Sequence, residues 1–83
     1  MITQTFSNVT PERWQDIKAV FFKETGIQIT EDKGSAVDSH GIHFAWAYGG
    51  DALAVTVISV PWYLPVKENG VMARFTTWIS SVQ

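Results

Sequence analysis

The clearest alternation of apolar and polar positions in this chain runs from residue 42 to residue 58. Ile42–Tyr48 and Asp51–Ile58 each alternate large apolar side chains with small or polar ones, and Gly49-Gly50 stands between them. A period of two is typical of a β-strand with one buried face. Glycine adopts the positive φ that a two-residue type I′ or II′ turn requires. The pattern therefore predicts a β-hairpin that turns at Gly49-Gly50.

The register of this hairpin decides which side chains share a face of the sheet. A turn at Gly49-Gly50 places Tyr48 opposite Asp51 and Trp46 opposite Leu53, and it collects the large apolar groups on one face. Small or polar side chains then lie on the second face: His43, Ala45, Ala47, Ala52, Ala54 and Thr56. A three-residue loop would shift the pairing by one and mix the two sets. Because a one-sided core needs one apolar face, we expect the separated register.

A helix is predicted before the hairpin, over Pro11–Thr25. Thr10 is a favourable N-cap, Pro11 suits the first helical position, and Gly26 is a natural stop. Trp14, Ile17 and Phe21 then form an apolar stripe. Phe22 lies beside this stripe and is expected to reach the edge of the sheet.

A second helix is predicted at the C-terminal end, over about Gly70–Val82. Apolar positions recur there at helical spacing, namely Val71, Met72, Phe75, Trp78, Ile79 and Val82. Asn69 is the expected N-cap, and Pro65 is an alternative start.

The remaining segments carry weaker patterns. Ile27–Ile29 alternates and Ala36-Val37 can resume a strand, which suggests one interrupted strand beside Ile42–Tyr48, with Gly34 tolerated opposite a large aromatic side chain. Its register stays open. Ile2–Phe6 also alternates, and either an arm or an edge strand fits. We therefore predict a single α+β domain over residues 1–83, a two-layer sandwich with about three antiparallel strands and both helices on one face.

Composition narrows the classes of function. The chain has 83 residues, a formal net charge of −2 and no cysteine. Without a basic stripe, nucleic-acid binding is not expected. Without cysteine, the chain has no thiolate metal ligands. It also has no apolar run long enough to span a membrane. The N-terminus does not resemble a signal peptide, so a cytoplasmic protein is expected.

The candidate catalytic and metal-binding groups have ordinary structural interpretations. Asp38-Ser39-His40 contains the residue types of a hydrolase triad, but triad members converge from separate segments, and neighbours in one turn do not align for proton transfer. His40 and His43 would point to opposite faces of a strand, and only Asp38 is near as a third ligand. We expect no catalytic residue, no metal and no cofactor.

Two prolines bracket the segment Trp62-Tyr63-Leu64 and make its backbone semi-rigid. The favoured interpretation is a connection that caps one end of the core. The alternative is an exposed aromatic contact for a partner or ligand, and these three residues are its candidates.

The second face of the sheet is the best candidate for a functional surface. Four alanines without a charge are too apolar for a solvated face and too small for a core. We therefore predict a non-enzymatic interaction domain that self-associates, as a homodimer, or binds another protein through this face. An alternative is a small apolar-ligand binder with a pocket lined by Trp46, Trp62, Tyr63 and Trp78, and a weaker one is an enzyme that uses His40 or His43. The order of elements resembles that of the polyhydroxyalkanoate-system proteins, a resemblance of layout that implies no function.

Overall fold

The computed structural model describes residues 1–82 and contains two helices and four strands in that range. In chain order they are β1 (Ile2–Phe6), α1 (Pro11–Thr25), β2 (Lys33–Val37), β3 (His43–Gly49), β4 (Ala52–Ser59) and α2 (Glu68–Ser80). The strands form one antiparallel sheet in the order β1-β4-β3-β2. Both helices pack on the same face, where aromatic residues of α1 and α2 meet Phe44 of β3. The predicted two-layer α+β sandwich is confirmed. The sheet has four strands rather than about three, because the N-terminal segment pairs with β4.

The hairpin between β3 and β4 turns one residue later than predicted. Gly49 pairs with Ala52, and the two loop residues are Gly50 and Asp51, with φ of 59° and 62°. A type I′ turn needs positive φ at both positions, and aspartate tolerates that conformation. Tyr48 therefore lies opposite Leu53 rather than Asp51. From Phe44 to Tyr48 each partner shifts by two residues, an even number, so the predicted separation of the faces is retained. A register irregularity between His43 and Phe44 places His43 opposite Ser59.

Helix α1 has the predicted bounds, and its ends use the expected groups. The Arg13 backbone N–H donates to the Thr10 hydroxyl over 3.2 Å, and Gly26 adopts a φ of 76° and donates its N–H to the Phe22 carbonyl. Phe22 itself is 52% exposed. The expectation that it reaches the sheet is wrong, because the apolar stripe of the helix already turns Trp14, Ile17 and Phe21 toward the core.

Helix α2 begins and ends about two residues earlier than predicted. Its N-cap is Lys67, not Asn69, and the Lys67 side chain makes no capping hydrogen bond. The helix is therefore positioned by burial of its apolar face rather than by a cap. Val71, Met72, Phe75 and Ile79 are buried, as the periodicity predicted, and Trp78 is half-buried.

Strand β2 is shorter than the predicted interrupted strand. Ile27–Ile29 is not a strand in the structure; Ile29 is a buried residue of the connection after α1. Gly34 pairs with Trp46, as the sequence suggested, and a β-carbon built at Gly34 would lie 3.0 Å from Cζ2 of the indole. The Trp46 ring therefore packs directly on the glycine backbone.

Side-chain hydrogen bonds at the edge of the core connect elements of the helical layer and the sheet to neighbouring loops. The Trp14 indole N–H donates to the Asp32 carboxylate over 2.9 Å, and the Tyr48 hydroxyl donates to the Val9 carbonyl over 2.7 Å. The rings of Trp14 and Tyr48 stack with centroids 5.2 Å apart. Burial, followed by the negative charge of Asp51, raises the pKa of the Tyr48 hydroxyl.

Candidate interaction surface

The structure places all six predicted interface residues on one face of the sheet. His43, Ala45 and Ala47 come from β3, and Ala52, Ala54 and Thr56 come from β4. Ala45 pairs with Thr56 and Ala47 pairs with Ala54, so the small side chains lie in adjacent rows. Both helices pack on the opposite face. We call this side of the sheet the uncovered face.

The outer strands extend the uncovered face beyond the predicted residues. Thr3 and Thr5 of β1 pair with Thr56 and Ala54, and the hydroxyls of Thr3 and Thr56 are 2.8 Å apart. On the other side, β2 contributes a further row: Lys33, Ser35 and Val37. The sequence predicted neither set, because the pairing of both strands was open. The alternation of Ile2, Gln4 and Phe6 with the two threonines was the signal for β1.

The uncovered face has low relief and little charge. It presents methyl groups, hydroxyls, one imidazole and one edge ammonium, contributed by the residues named above. The alanines are half-buried only because their side chains are short and lie between neighbouring strands. Its short side chains give it the flatness that close packing of another surface requires.

A second surface is formed by the residues that follow β4. The Leu64 N–H donates to the Pro61 carbonyl over 3.1 Å, which closes a β-turn with Trp62 and Tyr63 at its two corners. Trp62 is 93% exposed and Tyr63 is 63% exposed, whereas Leu64 is half-buried. We call residues 61–64 the aromatic turn. The favoured expectation that this segment caps the core is wrong for Trp62 and Tyr63, because corner residues of a turn project outward.

The aromatic turn is held against the connection between β2 and β3. The Tyr63 hydroxyl donates to the His40 carbonyl over 3.3 Å. Gly41, which has a φ of 89°, lies so close to Pro61 that a β-carbon there would approach Pro61 Cγ to 2.8 Å. The rings of Trp62 and Tyr63 meet edge to face, with centroids 5.9 Å apart. These contacts hold the backbone that carries the exposed Trp62 against the connection between β2 and β3.

The residues of the supposed triad form an ordinary turn. Oδ1 of Asp38 accepts hydrogen bonds from the backbone N–H groups of His40 and Ile42, at 2.9 and 3.0 Å. This is the turn interaction expected of aspartate. His40 is exposed, with Nδ1 3.8 Å from Asp38 Oδ2, and His43 is half-buried on the uncovered face. Within residues 1–82, no three His, Asp or Glu side chains are grouped as metal ligands.

Replacement of His40 with alanine should leave the fold intact. The imidazole is exposed, and the turn is held by backbone atoms and the Asp38 carboxylate. We expect a change of less than about 0.5 kcal/mol in the free energy of unfolding, as for other surface substitutions. Thermal melting with and without EDTA measures both this change and any structural metal. A fall of several degrees on adding the chelator would contradict our expectation that no metal is bound.

The space between the sheet and the helices is filled by side chains. Its cavity measures about 10 Å³ and is lined by core residues, including Trp14, Phe21, Phe44 and Trp46. That volume is about the minimum that one water molecule needs. The alternative interpretation, an apolar-ligand binder with a pocket between the sheet and the helices, stays a prediction. Trp62 and Tyr63, two of its four predicted lining residues, lie exposed on the aromatic turn.

No family model matches this chain, and no significant match was found among curated proteins or solved structures. Across residues 1–82, neither helix combines the length and apolarity that crossing a membrane would take.

Proposed function

We propose that this protein is a non-enzymatic interaction domain that forms a homodimer through its uncovered face. The observation that carries the proposal is the packing of both helices on one side of the sheet, which leaves rows of alanine and threonine on the other. Sheets with side chains of this kind commonly pack against a second sheet at about 10 Å.

A second copy of the chain suits this face for two physical reasons. A two-fold axis brings the same patch onto itself, so a surface without strong positive or negative regions is complementary to its own copy. Ala45, Ala47 and Ala54 also carry no polar side-chain atoms, so removing them from water leaves no unpaired group behind. The N-terminal strand does not compete for the site, because Ile2–Phe6 pairs with the edge of β4 instead of covering the alanines.

Replacement of Ala45 with glutamate should dissociate the dimer and leave the monomer folded. Ala45 lies in the second strand from one edge, and its neighbours across the sheet are Ser35 and Thr56. A carboxylate there would lose its hydration in the dimer but keep it in the monomer. We expect the dissociation constant to rise by at least about a hundredfold, equivalent to about 2.7 kcal/mol. Sedimentation equilibrium over a wide concentration range measures it.

The matched control is Ala73→Glu, which adds the same charge on the exposed surface of α2. This variant should dimerise like the wild type, and circular dichroism should show native helix and strand content for both variants. A wild-type protein that stays monomeric at millimolar concentration would overturn the proposal, as would a dimer that tolerates Ala45→Glu. We further propose a cytoplasmic location, which fractionation of cells that produce the protein would test.

A further inference from the structure

The size of the uncovered face suggests that a dimer uses more than the sheet. Four strands about 4.8 Å apart, with about five residues each at about 3.3 Å, give roughly 300–400 Å² per copy. Two copies would bury roughly 600–800 Å², whereas a specific interface buries at least about 1,000 Å². A stable homodimer therefore needs apolar surface from a neighbouring part of the chain.

The aromatic turn is an exposed apolar surface that follows the end of β4. Ser59 pairs with His43 at the end of β4, and the turn begins two residues later. Tryptophan and tyrosine each bury about 150–250 Å² in an interface. At the exposures of Trp62 and Tyr63, the pair would add roughly 250 Å² per copy, which brings the total for two copies above about 1,000 Å².

The two ends of the uncovered face also differ in bulk. Val37 and His43 form a pair at the end nearest the aromatic turn. At the opposite end, next to the hairpin turn, the two central strands carry Ala47, Ala52 and Ala54, and Lys33 lies beside Ala47 on the edge strand. Two such faces pack at even spacing when the bulky end of each meets the alanine end of the other. A two-fold axis that lies between the sheets and runs across the strands produces this arrangement.

We infer that the aromatic turn is the second part of the homodimer interface, and that Trp62 of each copy packs over the alanine end of the other copy's uncovered face. This inference rests on the proposed function and names the residue that anchors it. Tryptophan is one of the residue types most enriched among interface hot spots. This packing also accounts for an exposure of 93% in a residue type that is normally well buried.

Replacement of Trp62 with alanine tests the anchor. The side chain makes few contacts within the monomer, so the variant should fold normally, and its dimer should dissociate with a constant at least about tenfold higher than that of the wild type. The matched control is Phe22→Ala, which removes another exposed aromatic ring, on α1 and away from the uncovered face. Its dissociation constant should stay within about threefold of the wild-type value. Sedimentation equilibrium measures the dissociation constants of the wild type and both variants.

Label distances test the arrangement independently. The chain has no cysteine, so Ser39→Cys provides a single exposed site for a spin label near the aromatic turn. The two labels of a dimer should lie at opposite ends, more than about 20 Å apart, since the strands span roughly that length. Labels in contact would overturn the inferred axis.

The outcomes separate this inference from the proposed function. A dimer that Ala45→Glu dissociates but Trp62→Ala does not would overturn the anchor and support the uncovered face. A dimer that Trp62→Ala dissociates but Ala45→Glu does not would overturn the uncovered face as the interface. A monomeric wild type would overturn both.

Discussion

Replacement of Phe75 with alanine should remove most of the stability of this domain and leave a large fraction of the chain unfolded at room temperature. Phe75 is 3% exposed, and its ring lies 5.2 Å from that of Phe21 and 5.3 Å from that of Phe44, measured between centroids. It therefore joins α1, α2 and β3 in one aromatic cluster. Truncation of a buried phenylalanine costs about 3–5 kcal/mol, because apolar contacts are lost and a cavity remains. Small domains have only about 5–15 kcal/mol in total, and this chain lies at the small end of the size range.

Urea unfolding followed by circular dichroism measures this loss at protein concentrations below dimer formation. Phe22→Ala is the matched control, because it removes the same ring from the exposed side of α1 and should change the free energy of unfolding by less than about 0.5 kcal/mol. Equal destabilisation by the two substitutions would contradict the aromatic cluster as the centre of the core.

Replacement of Trp46 with alanine should cost a similar amount, about 3–5 kcal/mol. The ring is 9% exposed, packs on the Gly34 backbone and approaches Phe44 with centroids 5.8 Å apart. Its indole N–H also donates to the Glu31 carbonyl over 2.9 Å, so the same side chain fastens the connection between α1 and β2. The loss of packing and the loss of this hydrogen bond act together.

Two further variants separate these contributions and check which face of the sheet is packed. Trp46→Phe keeps a ring but removes the N–H donor. It should therefore lower the free energy of unfolding less than Trp46→Ala does, and the difference is the contribution of the packing that the ring retains. Trp62→Ala removes an indole from the aromatic turn and should leave the unfolding of the monomer unchanged within about 0.5 kcal/mol. Wild-type-like unfolding of Trp46→Ala would mean that the helices do not cover the large aromatic face.

Local signals in the sequence were sufficient where the structure depends on nearby residues. The bounds of α1 follow from Thr10, Pro11 and Gly26, which act within one turn of the helix ends. Helix α2 has no capping side chain at Lys67, so its start was misplaced by about two residues. The faces of the hairpin were predicted correctly because alternation groups the side chains of each strand, and the observed turn moves the pairing of the two strands by an even number of residues.

The chain by itself determined the α+β class, helix α1 and the two faces of β3 and β4, since periodicity and capping are encoded in neighbouring residues. Only the tertiary structure decided that the turn uses Gly50 and Asp51, since Gly49-Gly50 satisfies the same local requirement. It also decided that Ile2–Phe6 joins the edge of β4 and that the aromatic turn is exposed. These outcomes depend on contacts between residues far apart in sequence: a strand needs a partner edge, and Trp62 is exposed because the core is already filled before the chain reaches it.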